Sequence, residues 1–177
     1  MRAIILDRDG VINHDSDDFI KSPEEWLPIP GSIRAIAKLF QAGFAIFVVT
    51  NQSGLARKLF DETTLAAMHA KLRHEVSLAG GKITDIIYCP HAAKDQCLCR
   101  KPKTGMLQKI EQDYQINLAQ AFFIGDSQSD IDAAKAHGCV PILVKTGKGE
   151  RTLQAKANPN VAVYADLAHA IETILLT

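Results

Sequence analysis

The sequence predicts an α/β fold, a mainly parallel sheet wrapped by helices, because short apolar runs alternate with helical patterns along the chain. Several of those runs stop abruptly at polar residues, which is where the strands of such sheets carry their ligands. A length of 177 residues suits one domain with a sizeable core, and no repeat, low-complexity tract or linker divides residues 1–177.

Residues 3–6, Ala-Ile-Ile-Leu, read as a buried strand that runs into Asp7-Arg8-Asp9-Gly10. The next helix presents Ile33, Ile36, Ala37 and Phe40 at helical spacing, with Gly43 placed to end it. A second strand, 45–49, delivers Thr50-Asn51-Gln52-Ser53-Gly54. A long helix starts near Asp61, a good N-cap, carries Leu65, Met68, Leu72 and Val76 on one face, and breaks at Gly80-Gly81. Residues 83–88 form a third strand leading to Cys89-Pro90-His91, and a helix follows over 104–114. A fourth strand, 121–124, ends in Gly125-Asp126, and the helix after it closes at His137-Gly138. The fifth strand is Val140–Val144. A short edge strand over 161–164 precedes a last helix, Leu167–Leu175, capped by Asp166.

Twenty basic and twenty acidic side chains cancel, so no global field recruits nucleic acid or an anionic membrane. No apolar run approaches the roughly 18 residues of a membrane span, and the N-terminus lacks the features of a secretory signal. The expectation is a soluble, cytoplasmic protein, large enough to stand as a monomer, with neither nucleic-acid nor membrane partners. Any phosphate recognition must then come from a local arrangement of cations and backbone donors.

Asp7-Arg8-Asp9-Gly10-Val11 places two acids two residues apart at a strand end, where a curl of the chain lets both face one ligand. Alone, the pair fits a polar turn equally well. The other strand ends favour function: Thr50 follows the second strand and Asp126 the fourth, with Asp130 one helical turn further. Lys101 stands between them in Arg100-Lys101-Pro102. Together they supply a nucleophile, a second acid, a hydroxyl, a cation and metal-binding carboxylates. At an effective dielectric of about 20, two carboxylates about 4 Å apart repel by about 4 kcal/mol. Such a cluster calls for a hard cation such as Mg²⁺ in addition to the point charge of Lys101.

Cys89, His91, Cys97 and Cys99 fall within eleven residues, and only Cys139 lies elsewhere. Three thiols and an imidazole make a plausible tetrahedral zinc site, structural because the protein fills all four positions. The alternative is a loop with chance thiols. Cys139 reads as a small buried side chain. Thr146-Gly147-Lys148-Gly149 offers either a backbone phosphate cradle or a plain turn. His69 and His74, on the long helix, read as surface residues. No nucleotide P-loop or dinucleotide fingerprint is present.

Taken in order, Asp7-x-Asp9-Gly10, Thr50-Asn51, Lys101 and Gly125-Asp126-x3-Asp130 resemble the four motifs of the haloacid-dehalogenase-like (HAD) phosphatases. That resemblance implies a Rossmannoid three-layer sandwich with a minimal cap and a zinc-clamped loop. It implies that Asp7 attacks phosphorus to form an aspartyl-phosphate, and that Asp9 protonates the leaving alcohol and then activates water. Thr50 would hold a phosphoryl oxygen and Lys101 would steady charge and nucleophile. Asp7, the Asp9 carbonyl and Asp126 would hold Mg²⁺, with Asp130 supporting them from behind.

A narrower resemblance, to the heptose-bisphosphate phosphatases within that superfamily, covers nearly the whole chain. It rests on Leu6-Asp7-Arg8-Asp9-Gly10-Val11-Ile12-Asn13, Val49-Thr50-Asn51-Gln52-Ser53-Gly54-Leu55-Ala56-Arg57, Cys89-Pro90-His91 and Cys97-x-Cys99-Arg100-Lys101-Pro102. It implies removal of the C7 phosphate from a heptose 1,7-bisphosphate for lipopolysaccharide precursors, with Asn51, Gln52, Ser53 and Arg100 contacting this small phosphorylated sugar. The segment with Asp15 and Asp18 matches a substrate-contacting stretch loosely and reads equally as a solvated turn. Histidinol-phosphate phosphatases share the pattern, zinc cluster included. A zinc-stabilised phosphosugar-binding module is a further alternative, against which the presence of both Asp7 and Asp9 argues.

Overall fold

The strands and helices follow one another as β1 (Arg2–Leu6), α1 (Ser32–Gln41), β2 (Phe44–Asn51), α2 (Glu62–Leu78), β3 (Asp85–Cys89), α3 (Gly105–Tyr114) and β4 (Phe122–Gly125). Then come α4 (Gln128–His137), β5 (Val140–Val144), α5 (Gly149–Ala155), β6 (Ala162–Tyr164) and α6 (Leu167–Leu175). This computed structural model describes residues 2–158 and 160–176. The six strands make one sheet in the order β3-β2-β1-β4-β5-β6, every neighbouring pair parallel. Strand order therefore reverses between β1 and β4, which places the crevice for a ligand beyond their carboxyl ends.

Residues two apart on a strand share a face, and that alternation builds two separate cores. Ile4 and Leu6, Ile46 and Val48, Ile124, and Ile142 and Val144 pack under α1, α2 and α6. The residues between them, Ile5, Phe47, Val49 and Phe123, pack under α3 and α4. The result is the expected three-layer sandwich, with the central strands buried on both faces. The expected face of α2, Leu65, Met68, Leu72 and Val76, is buried throughout, and Asp61 caps its start by accepting the Thr64 N–H at 2.8 Å.

Three local expectations are corrected. The buried residues of α1 are Ser32, Ala35, Ile36, Ala37 and Leu39, and Phe40 is 42% exposed. Of the expected stripe, Ile36 and Ala37 are buried and Ile33 is half-buried, and the face runs on to Leu39 in place of Phe40, a small rotation that apolar spacing alone does not resolve. β2 runs on to Asn51, so Thr50 and Asn51 are still paired to β3 at Tyr88 and Cys89. The turn at 146–149 leads into a helix, α5, that the sequence reading did not anticipate.

Between β1 and α1 the chain makes a long excursion with only isolated bridges, Asp9 to Asn13 and Asn13 to Pro28. It is pinned by Trp26, which is wholly buried. Long loops of this kind in compact domains usually serve a site, and this one forms a rim of the cleft described next.

Candidate active site

Asp7 extends β1 by one residue, its N–H donating to the Ile124 carbonyl of β4 at 2.9 Å. The chain then curls: the Arg8 carbonyl accepts from the N–H groups of Val11, Ile12 and Asn13, and Gly10 takes φ +82°. A side chain at Gly10 would strike the Asp126 carboxylate, and the same holds for Gly147 from the β5–α5 turn. Two bare backbones thus flank Asp126, and the Lys148 N–H donates to its Oδ2 at 2.7 Å. Thr152, on α5, donates to the Asp126 carbonyl at 2.8 Å.

Asp7, Asp126 and Asp130 are all buried, with carboxylate oxygens within 4.8 Å of one another. Among the described residues, one cation lies within ion-pair distance of the group. Lys101 Nζ lies 2.8 Å from Asp7 Oδ1, 2.7 Å from Asp130 Oδ1 and 2.9 Å from the Val49 carbonyl it donates to. Three carboxylates against one ammonium leave excess negative charge in a desolvated place. Burial, then the Asp130 charge, pushes Asp7 well above the usual carboxylate range and Asp126 up to about 7. Burial alone would discharge Lys101, but Asp130 and Asp7 hold it above its ordinary value. Oxygen donors, burial and unbalanced charge suit a divalent cation of the Mg²⁺ type. Asp130 belongs to the support: its Oδ2 accepts from the N–H groups of Asp126 and Ser127 and from the Ser127 hydroxyl.

Asp9 sits apart from that pair of cation and acids. Its carboxylate takes Arg8 Nε at 2.9 Å and Nη2 at 3.1 Å, Asn13 Nδ2 at 2.9 Å and Gln52 Nε2 at 3.0 Å. Burial favours its neutral form, yet the Arg8 charge and these hydrogen bonds win and hold Asp9 below its ordinary value. Gln52 also donates to Thr50 Oγ1 at 2.8 Å, which ties the hydroxyl to the acid. His69 is corrected here: it is half-buried, with Nε2 3.2 Å from Arg8 Nη1, and burial and Arg8 depress it to about 3.

Lys101 is set by its backbone. The Asn51 side chain clasps it, Oδ1 accepting the Lys101 N–H at 3.0 Å and Nδ2 donating to the Lys101 carbonyl at 3.2 Å. The cysteine loop runs directly into Arg100 and Lys101. Cys99 Sγ lies 3.0 Å from Cys89 Sγ and 3.6 Å from Cys97 Sγ, and His91 Nδ1 lies 3.3 Å from Cys99 Sγ. Burial raises Cys89 to about 12, whereas in Cys97 burial is outweighed by the Arg100 N–H, and the thiol falls to about 6. Three sulfurs and an imidazole nitrogen gathered this closely are a soft donor set that suits zinc.

The cleft above these groups measures about 340 Å³. Asp7, Asp9, Thr50, Lys101 and Asp126 line its floor, and Asn51, Gln52, Ser53, Arg100 and Asp15 line its wall. Asp18 is not among the lining residues; its carbonyl accepts from Lys21 Nζ. Asp130 lies beneath the floor.

Comparisons with known proteins agree with this geometry. A family model of HAD-hydrolase-like proteins matches residues 98–170. The chain is 54% identical to the D-glycero-β-D-manno-heptose-1,7-bisphosphate 7-phosphatase of Pseudomonas putida, over 95% of this chain and 96% of that one. The chain belongs to the D-glycero-β-D-manno-heptose-1,7-bisphosphate 7-phosphatase family. The Pseudomonas aeruginosa family member is 52% identical over 97% of both chains. The crystal structure of the D,D-heptose 1,7-bisphosphate phosphatase of Bordetella bronchiseptica, complexed with magnesium and phosphate, superposes with a TM-score of 0.96. It is 47% identical and covers 99% of each chain.

Several residues of this family member's cleft escaped the sequence reading. Lys148 and Arg57 line it, Lys148 Nζ lying 3.4 Å from Asp15 Oδ2, and Asp17 lines it while pairing with Arg151 at 3.0 Å. Lys148 had a signal, since it follows a glycine in the turn read as a phosphate cradle. In the fold that turn closes on the Asp126 carboxylate instead. Arg8 and His69 had none, because their contact depends on how α2 docks against the loop after β1. Cys139 is buried, as expected, and its thiol donates to the Leu118 carbonyl at 3.4 Å.

Proposed function

We propose that this chain hydrolyses the C7 phosphate of D-glycero-β-D-manno-heptose 1,7-bisphosphate, leaving the heptose 1-phosphate for lipopolysaccharide precursors. The observation that carries this reading is the buried group of Asp7, Asp126 and Asp130 beside Lys101, at the switch point of the sheet. Asp7 attacks phosphorus, the bond from phosphorus to the C7 oxygen breaks, and Asp9 gives its proton to that oxygen. Water then attacks the aspartyl-phosphate, its proton passes to Asp9, and phosphate leaves from Asp7. Asp9 as held by Arg8 is ionised, the form that takes the water's proton in the second step; the first step uses its protonated form, the proton taken up from solvent, with the carboxyl group still oriented by Arg8. Thr50 holds a phosphoryl oxygen, Lys101 steadies the charge and the Asp7 nucleophile, and Asn51, Gln52, Ser53, Arg100 and Asp15 surround the sugar and its retained phosphate.

Bound by Asp7, the Asp9 carbonyl and Asp126, Mg²⁺ would neutralise the acids and stabilise charge on the transferring phosphoryl group. Zn²⁺ on Cys89, His91, Cys97 and Cys99 would fix the loop that leads into Arg100 and Lys101. The same reading takes the protein to be a single-domain, cytoplasmic monomer with no membrane partner; no described helix is long and apolar enough to cross a membrane. Asp7→Asn tests the chemistry, because it keeps the shape and removes the nucleophile. Mg²⁺-dependent phosphate release should fall by about 10⁴-fold, and retained turnover would overturn the assignment.

A further inference from the structure

Arg8 is among the largest wholly buried side chains, and the proposed chemistry gives its guanidinium no part. Its donors are divided. Nε and Nη2 take the two oxygens of Asp9 in a forked pair, while Nη1 meets His69 Nε2 at 3.2 Å, from a helix 61 residues away in sequence. A guanidinium has donors and no acceptor, so the contact requires His69 Nε2 to accept. The ring proton then resides on Nδ1 and the imidazole is neutral, in keeping with its depression to about 3 by burial and by Arg8. The charged groups facing the ring are Arg8, Asp9 and Arg73, and the Tyr88 ring lies 6.1 Å away.

A fork holds a carboxylate in one plane only while the guanidinium itself is fixed. With Nη1 unpaired, Arg8 would turn within its site to satisfy that buried donor, and the plane offered to Asp9 would turn with it. We propose that His69 is a positioning residue for Asp9: through Nε2 it fixes the Arg8 guanidinium, and Arg8 fixes the carboxylate that works on the substrate. The inference rests on the acid–base role of Asp9 given above. It assigns a function to α2, whose other buried residues serve only the core.

Steady-state phosphate release from heptose 1,7-bisphosphate with Mg²⁺ tests it, using His69→Ala, His69→Gln, Asp9→Asn and the double variant His69→Ala/Asp9→Asn. Alanine suits a helix and opens no clash, so His69→Ala folds. Its kcat should drop about tenfold with KM within about twofold of wild type. His69→Gln, which returns an acceptor oxygen to Arg8, should recover most of the loss. In the Asp9→Asn background, adding His69→Ala should cost less than about twofold, because the residue it positions is already gone. Full kcat in His69→Ala, a loss confined to KM, no recovery in His69→Gln, or an undiminished loss on Asp9→Asn would each overturn the positioning role. If Asp9→Asn itself retained kcat, the acid–base reading of Asp9 would fail first and this inference with it. An inactive Asp9→Asn beside a fully active His69→Ala would remove the inference alone.

Discussion

Asp126 is the acid whose charge the protein does least to offset: among the described residues no side-chain cation lies within ion-pair distance of it, and its Oδ2 is held by a backbone N–H. Its folded value of about 7 lies above the ordinary 3.8, so between those limits the metal-free folded state keeps a proton that the unfolded chain has lost. Its contribution to stability is therefore complete below about pH 3.8 and disappears as pH rises through about 7. In chelator, Asp126→Asn should be more stable than wild type at pH 8, on the order of 2 kcal/mol, and the two should converge near pH 4. Urea unfolding across that range measures it, and Mg²⁺ should stabilise the wild type alone. A difference that ignored pH would contradict the raised value. Asp7, Thr50 and Asp126 were legible because they stand at or near strand ends; Arg57 and the contact of Arg8 with His69 were not, because the partners lie far away in sequence.

At the scale of elements, Asn51 clasps the Lys101 backbone and the cysteine loop leads straight into it along the chain. Arg100 and Lys101 follow Cys99 directly, and the Arg100 N–H already donates to Cys97 Sγ at 3.4 Å. Cys97→Ser, or zinc removal, should loosen residues 90–101 while the sheet stays intact. Hydrogen exchange should show faster exchange in that segment, with kcat lowered about tenfold or more. Unchanged exchange there would remove the zinc strap from the account. Elements with strong periods were readable: α2 had its cap and its face, and α6 had Asp166 and its bounds. Helix α5 was not, since it is seven residues long, begins at a glycine and buries only Gly149 and Thr152. It forms because tertiary contacts hold it, chiefly Thr152 on the Asp126 carbonyl.

For the whole molecule, alternating apolar runs and helices foretold a parallel α/β sheet, but not the order of its strands. Order depends on which distant edges pair, here β1 with both β2 and β4, and no local pattern records that. Once the order is known, the site follows from it. Asp7 and Asp126 stand at the carboxyl ends of adjacent strands on either side of the switch point, and Thr50 stands on the strand beyond. Substrate choice belongs to this scale as well, since it is made by the cleft as a whole: the rim of Asp15, Arg57, Arg100 and Lys148 surrounds the floor where the phosphoryl group reacts. Mg²⁺-dependent phosphate release, measured side by side on D-glycero-β-D-manno-heptose 1,7-bisphosphate and histidinol phosphate, tests the assignment most directly. The account predicts strong preference for the bisphosphate and one phosphate released per sugar, with the product still phosphorylated at C1. Preference for histidinol phosphate, or release of both phosphates, would contradict it.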